Sequence, residues 1–212
     1  MKLFSVFSPT YVLAGYLKEK FDHTETIKVL NSVYLWVSVI SAIALLIYQE
    51  YFTPLGKLKL NSELNYVVIF AWSYFIFSRC SEIFWAFLND AFDKMDKDKT
   101  PNSYLTAKDR IRLSLKSYLE LVINFSILFL LLPQTSGVWR NGNAPENIAE
   151  SLYFSGVTIT TLGYGDISPS HWWPQLLTVY EVFCGVILLI VCFAIYTGRL
   201  NDSPSIKFEV QQ

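Results

Sequence analysis

Histidine, cysteine and charge are all scarce in this chain. Its 212 residues include two His and three Cys, and Asp, Glu, Lys and Arg together make up 17%. No His/Cys cluster, phosphate-binding loop or nucleophile motif is present, which argues against an enzyme. The cysteines, Cys80, Cys184 and Cys192, are odd in number and sit in apolar segments, so they do not read as a disulfide framework. A net charge of −1 gives no electrostatic reason to expect a nucleic-acid partner. No helix carries Arg at every third position, so strong voltage sensing is not expected. Asp96-x-Asp98-x-Thr100 opens like a calcium loop but lacks glycine at the sixth position and has Ala107 at the twelfth, which excludes an EF-hand. His23 reads as a solvated loop residue. The N-terminus has no basic stretch followed by an apolar run and a small-residue cleavage site, so no secretory signal is expected.

What the chain has instead is apolar surface. Hydrophobic residues make up 52% and aromatic residues 17%, a composition that fits a membrane protein better than a soluble domain. Four apolar runs read as transmembrane helices, the third of them led into by a basic stretch, Lys108–Lys116. They are Leu30–Gln49, Leu64–Leu88 (continuing as helix to about Met95), Ser117–Leu132 and Gln175–Tyr196. Residues 1–28 mix aromatic and polar side chains and read equally as an interfacial helix or as a partly ordered lead-in. Between the third and fourth runs lies a shorter apolar segment, Ile148–Ile159, too short to span. Asn147 followed by Glu150 predicts a capping box at its start.

That short segment runs into Thr160-Thr161-Leu162-Gly163-Tyr164-Gly165-Asp166. This stretch resembles the selectivity filter of the tetrameric potassium channels, with Leu162 where the family example has valine. The physical demand fits the residue types. A potassium ion in a narrow pore must exchange its water for other oxygens, and consecutive carbonyls can supply them only if the backbone alternates in hand. Glycine tolerates the unusual hand. By resemblance the carbonyls of Thr161, Leu162, Gly163 and Tyr164 and the Thr161 hydroxyl hold K+, Gly165 completes the strand, and the outward Tyr164 ring braces it. The resemblance covers about the last hundred residues. It implies the outer helix, pore helix, extended filter and inner helix, and with the two apolar runs before them the chain reads as an all-α membrane protein with four transmembrane helices. One pore module per chain implies a homotetramer in membrane lipid, with K+ as permeant ion and no cofactor.

On this reading residues 1–29 form a cytoplasmic or interfacial segment, 30–98 two accessory transmembrane helices and 99–116 a basic cytoplasmic linker. Residues 117–200 form the pore module and 201–212 a short cytoplasmic tail. Thirteen Lys/Arg fall on the side of the termini and three (Lys57, Lys59, Arg140) on the other, so the termini are expected to be cytoplasmic and the filter extracellular, in the cell membrane. Competing functions are a poorly selective monovalent cation channel and a non-conducting membrane sensor or scaffold on a channel fold. A transporter subunit of the kind with four degenerate filter repeats is disfavoured, because one intact motif is present.

Several residues are expected to support the filter. Val157 stands where some bacterial members have a glutamate paired with the aspartate after the filter, so that pair cannot form here. Tyr153, one turn earlier, is the alternative partner for Asp166, and Thr160 leads into the strand. Glu181 lies about 10 Å below the outer interface, with Asn124, Ser155 or Thr158 as partners, or water alone. Gly185 falls where the family often has its inner-helix hinge, although a small residue for helix packing gives the same letter. Val186, Leu189 and Phe193 are expected to face the cavity. In the front half, Arg79, Glu82, Asp90 and Asp93 share one helical face. Lys108, Arg112 and Lys116 form a basic face that either docks on it or is solvated. Glu120 lies near the depth of Arg79.

Overall fold

The computed structural model describes residues 8–52, 63–95 and 103–192. Six α-helices account for most of them: α1 Pro9–Lys20, α2 His23–Phe52, α3 Glu63–Met95, α4 Ala107–Leu130, α5 Ile148–Ile159 and α6 Trp172–Val186, which continues as a π-helical turn over Ile187–Cys192. Helices α2, α3, α4 and α6 are long and apolar enough to cross a membrane. The protein is an all-α, multi-pass membrane protein, with four spanning helices and the short helix α5 between the last two. Phe193, expected to face the cavity, lies outside the described residues.

The helices begin and end for local reasons. Pro9 opens α1, where its missing N–H is no loss. Thr106 and Asp109 form a complete capping box before α4, so the segment entering the membrane is already helical from Ala107, well ahead of the apolar run. At α5 the Asn147 side chain accepts from the Glu150 N–H at 2.9 Å. The return bond differs from the expected box: the Glu150 carboxylate accepts from the Glu146 N–H at 2.8 Å.

Residues 1–28 turn out to contain a packed helix. Ser8 Oγ donates to the Ser78 carbonyl at 2.9 Å, and the Thr10 and Ser78 hydroxyls are 2.8 Å apart. The start of α1 is thereby fixed to the middle of α3, beside Arg79.

Helix α4 is the hub. It packs against α2, α3, α5 and α6, and it buries Arg110, Leu113, Ser117, Glu120, Leu121 and Asn124 along one stripe. Three- and four-residue spacing puts these on one helical face. Farther out, Phe129 of α4, Trp139 of the following loop and Phe154 of α5 meet edge to face, with centroids 4.8 to 6.4 Å apart. Trp139 is fully buried, so the 134–146 loop is anchored against α5. Such aromatic pairs add about 0.5–1.5 kcal/mol each beyond their buried area.

Candidate functional site

The 160–166 stretch leaves the C-terminus of α5 as a non-helical strand. Backbone φ is positive at Thr161 (62°), Gly163 (56°) and Gly165 (80°). The three positions alternate with Thr160, Leu162 and Tyr164. A backbone that changes hand at every residue turns successive carbonyls toward one side, which neither helix nor strand does. Two of the three sites are glycine, which takes a positive φ without cost; Thr161 takes it against preference.

The strand is tied to the helix it leaves. The Thr161 N–H bonds to the Thr158 carbonyl at 2.9 Å, and the Val157 carbonyl accepts from Leu162 N–H at 3.0 Å and Gly163 N–H at 3.3 Å. Val157 thus serves the strand through its carbonyl, and its apolar side chain forms no pair with Asp166. The Tyr153 hydroxyl takes that place, donating to Asp166 Oδ2 at 2.7 Å. The same bond holds the Asp166 carboxyl below its ordinary range and pushes the Tyr153 phenol up. The rings of Tyr153 and Tyr164 stack, with centroids 6.5 Å apart and planes 13° apart. From the loop, Asn143 donates to the Asp166 carbonyl. Arg140 N–H bonds to Ser168 O at 2.9 Å and Ser170 N–H to Val138 O at 2.8 Å. Each end of the strand is therefore fixed by backbone or side chain.

Behind α5, Glu181 is fully buried. Of its three sequence-level candidates the structure brings it to Ser155. Asn124 is engaged elsewhere, accepting from Ser38 Oγ of α2 at 2.7 Å. Gly185 sits against the end of α5: a Cβ there would come within 2.6 Å of Ile159 Cγ1 and 3.1 Å of its carbonyl. Close packing therefore accounts for the glycine. The π-helical turn that begins two residues later is an independent break in the regular hydrogen-bond ladder. Val186 is half-buried and Leu189 is exposed on the single chain.

In the front half Arg79 is central. Its guanidinium meets Glu120 of α4 through two bonds, 2.7 and 3.1 Å, and Glu82 of its own helix at 2.9 Å. It also lies over the Tyr34 ring of α2 at 4.1 Å. All three charged groups are buried. Nearer the end of α3, Asp90 pairs with Arg110. Of the two readings of the basic face, the structure matches the solvated one: Lys108 and Arg112 are exposed, Lys116 reaches Ser32 of α2 at 3.2 Å, and the cation on α3's side is Arg110. Asp93 is half-buried on α3. Sequence reasoning also missed Gln49, whose Oε1 accepts from Ile148 N–H at 3.1 Å and so fixes α2 to the start of α5. Arg110 was discoverable from its place on the Leu113–Ser117–Glu120 stripe. Gln49 carries no local signal.

Comparison with known proteins adds a second line. Residues 117–201 match the family described as Ion channel. The chain is 35% identical over 71 residues to human potassium channel subfamily T member 1, covering 32% of this chain and 6% of that one. It is 37% identical over 71 residues to Arabidopsis thaliana two-pore potassium channel 1, covering 34% and 18%.

Residues 117–201 are similar to the ion-channel family, and the relatives that the chain resembles there are named as potassium channels.

The match to Oryza sativa two pore potassium channel a is 28% over 93 residues, covering 44% of this chain and 24% of that one. The chain thus spans less than a quarter of the length of these curated relatives. No solved structure matches. The matched residues contain α4, α5, the 160–166 stretch and α6, in the order expected of an outer helix, pore helix, filter and inner helix. Helices α1 to α3 lie outside the matched residues.

Proposed function

We propose that the chain is a subunit of a potassium-selective channel, and that four copies close one pore for passive K+ permeation. The observation that carries this reading is the alternation of positive φ at Thr161, Gly163 and Gly165 directly after a helix too short to span. Such a strand offers a row of backbone oxygens from Thr161, Leu162, Gly163 and Tyr164 in place of an ion's water shell. Irregular backbone at membrane depth is tolerable only inside protein or along a water-filled cavity. The C-terminal end of the pore helix favours a cation below the strand.

One chain cannot enclose an ion with this strand. Leu162 and Tyr164 are 61% and 67% exposed, and Trp172, Leu176, Val179 and Phe183 leave an apolar face of the inner helix uncovered. Fourfold closure covers that face and completes the ring of carbonyls. Tyr153, Asp166 and Glu181 support the filter, Gly185, Val186 and Leu189 shape the inner helix, and the Arg79 cluster ties the accessory helices to the outer helix. The charge asymmetry supports cytoplasmic termini and an extracellular filter in the cell membrane.

Purified full-length protein in liposomes tests the reading. The expected result is potassium efflux that external barium blocks. Absence of flux from verified tetramers held in a demonstrably open state contradicts it and favours a non-conducting membrane protein on a channel fold.

A further inference from the structure

Glu181 has 0% exposure in the wall between outer, pore and inner helices. Its Oε1 contacts Ser155 Oγ, and its Oε2 has no hydrogen-bond partner. Ser155 Oγ also lies 2.9 Å from the Val122 carbonyl oxygen of the outer helix. A serine hydroxyl has one proton to give, and a carbonyl oxygen has none. If Ser155 gives its proton to Glu181, the Val122 carbonyl faces an oxygen lone pair at hydrogen-bonding distance with no proton between them. If Ser155 gives it to Val122, the contact with Glu181 needs a proton from the carboxyl group. Only the second arrangement satisfies both contacts.

The surroundings agree. Ser155 from the pore helix contacts Glu181, and the other titratable groups close enough to feel its charge are Tyr118 on the outer helix, Cys80 on α3 and Cys184 on its own helix. None is a cation, and among the described residues no Lys or Arg forms an ion pair with it. Glu120, equally buried, has both oxygens on Arg79. A buried carboxylate needs such a partner, whereas a neutral acid needs only a hydrogen-bond acceptor.

We propose that Glu181 is a neutral carboxylic acid that donates its proton to Ser155, and that the relay Glu181–Ser155–Val122 positions the pore helix between outer and inner helices. Ser155 is two residues before Val157, whose carbonyl holds the filter N–H groups of Leu162 and Gly163. Glu181 is thus a positioning residue that acts on the filter through the pore helix. This role rests on the channel reading, whereas the proton assignment does not.

The test uses the full-length tetramer in liposomes, with infrared spectra and potassium flux measured on the same samples. The wild-type minus Glu181→Gln difference spectrum at neutral pH is expected to show a protonated-carboxyl C=O band. Glu181→Gln keeps an N–H donor and is expected to conduct within about twofold of wild type. Glu181→Leu keeps none and is expected to lose about tenfold or more. Carboxylate bands in the difference spectrum overturn the proton assignment, as does a Glu181→Gln variant that fails to assemble. Equal flux through wild type and Glu181→Leu overturns the positioning role. The acid band in a wild-type protein that conducts nothing supports the proton assignment and contradicts the channel reading instead.

Discussion

The Tyr153 hydroxyl donates to the Asp166 carboxylate across 2.7 Å while its ring stacks on Tyr164 of the filter. One side chain thus holds both the Asp166 carboxylate and the Tyr164 ring. Tyr153→Phe keeps the stack and removes the bond. The expected outcome is faster decay of potassium current with unchanged K+/Na+ selectivity, read from macroscopic currents in a planar bilayer.

The same bond gives a pH dependence. It favours the charged carboxylate, so the Asp166 pKa lies below its ordinary 3.8. The contribution is present at neutral pH and is lost as external pH falls through that lowered value. Wild-type current at strongly acidic external pH is therefore expected to decay like that of Tyr153→Phe, and the variant itself to change little over the same titration.

Arg79 neutralises two buried carboxylates, with two bonds to Glu120 and one to Glu82. Removing the cation leaves both charges uncompensated, a loss of about 3–5 kcal/mol. Arg79→Leu is expected to lower the thermal midpoint of the detergent-solubilised tetramer sharply. Glu82→Gln, which leaves the bidentate pair with Glu120 intact, is expected to lower it less.

Gly185 packs where a Cβ would strike Ile159. Gly185→Ala is expected to cost about 1–3 kcal/mol through overpacking. Ile159→Ala in the same chain, which removes the Cγ1 atom, is expected to recover only part of the overpacking cost, because the Ile159 carbonyl also stands in the way. Full loss of gating with unchanged thermal stability would assign the residue to a hinge instead.

Where the end of α3 meets the start of α4, Arg110→Gln is expected to shift open probability, because it breaks the pair with Asp90. Lys108→Gln and Arg112→Gln, both at exposed positions, are expected to stay within about 0.5 kcal/mol of wild-type stability and to leave opening unchanged. Single-channel recordings of the three variants separate these outcomes.

Much of the fold was legible in the sequence because membrane spans are written in long apolar runs and α5 in its shortness. The irregular backbone of 160–166 was legible because backbone of alternating hand demands glycine at fixed positions, and Gly163 and Gly165 supply it. Thr161 gave no such sign, since its positive φ is imposed by the strand and by the bond to Thr158. Arg79 and Glu120 announced themselves as charges inside apolar runs, but their partnership needed the helix rotations. Arg110 was hidden among neighbouring basic residues, and only its helical face distinguishes it from Lys108 and Arg112. Gln49 was hidden more completely, because a polar residue at the end of a spanning helix is ordinary and its partner, Ile148, is 99 residues away.

The most direct measurement of the central claim is the reversal potential of the reconstituted channel with potassium on one side of the bilayer and sodium on the other. A carbonyl-lined strand built from Thr161 to Gly165 is expected to place the reversal near the potassium equilibrium value. A reversal near zero under the same gradient, with current still flowing, would contradict potassium selectivity and identify a poorly selective cation channel.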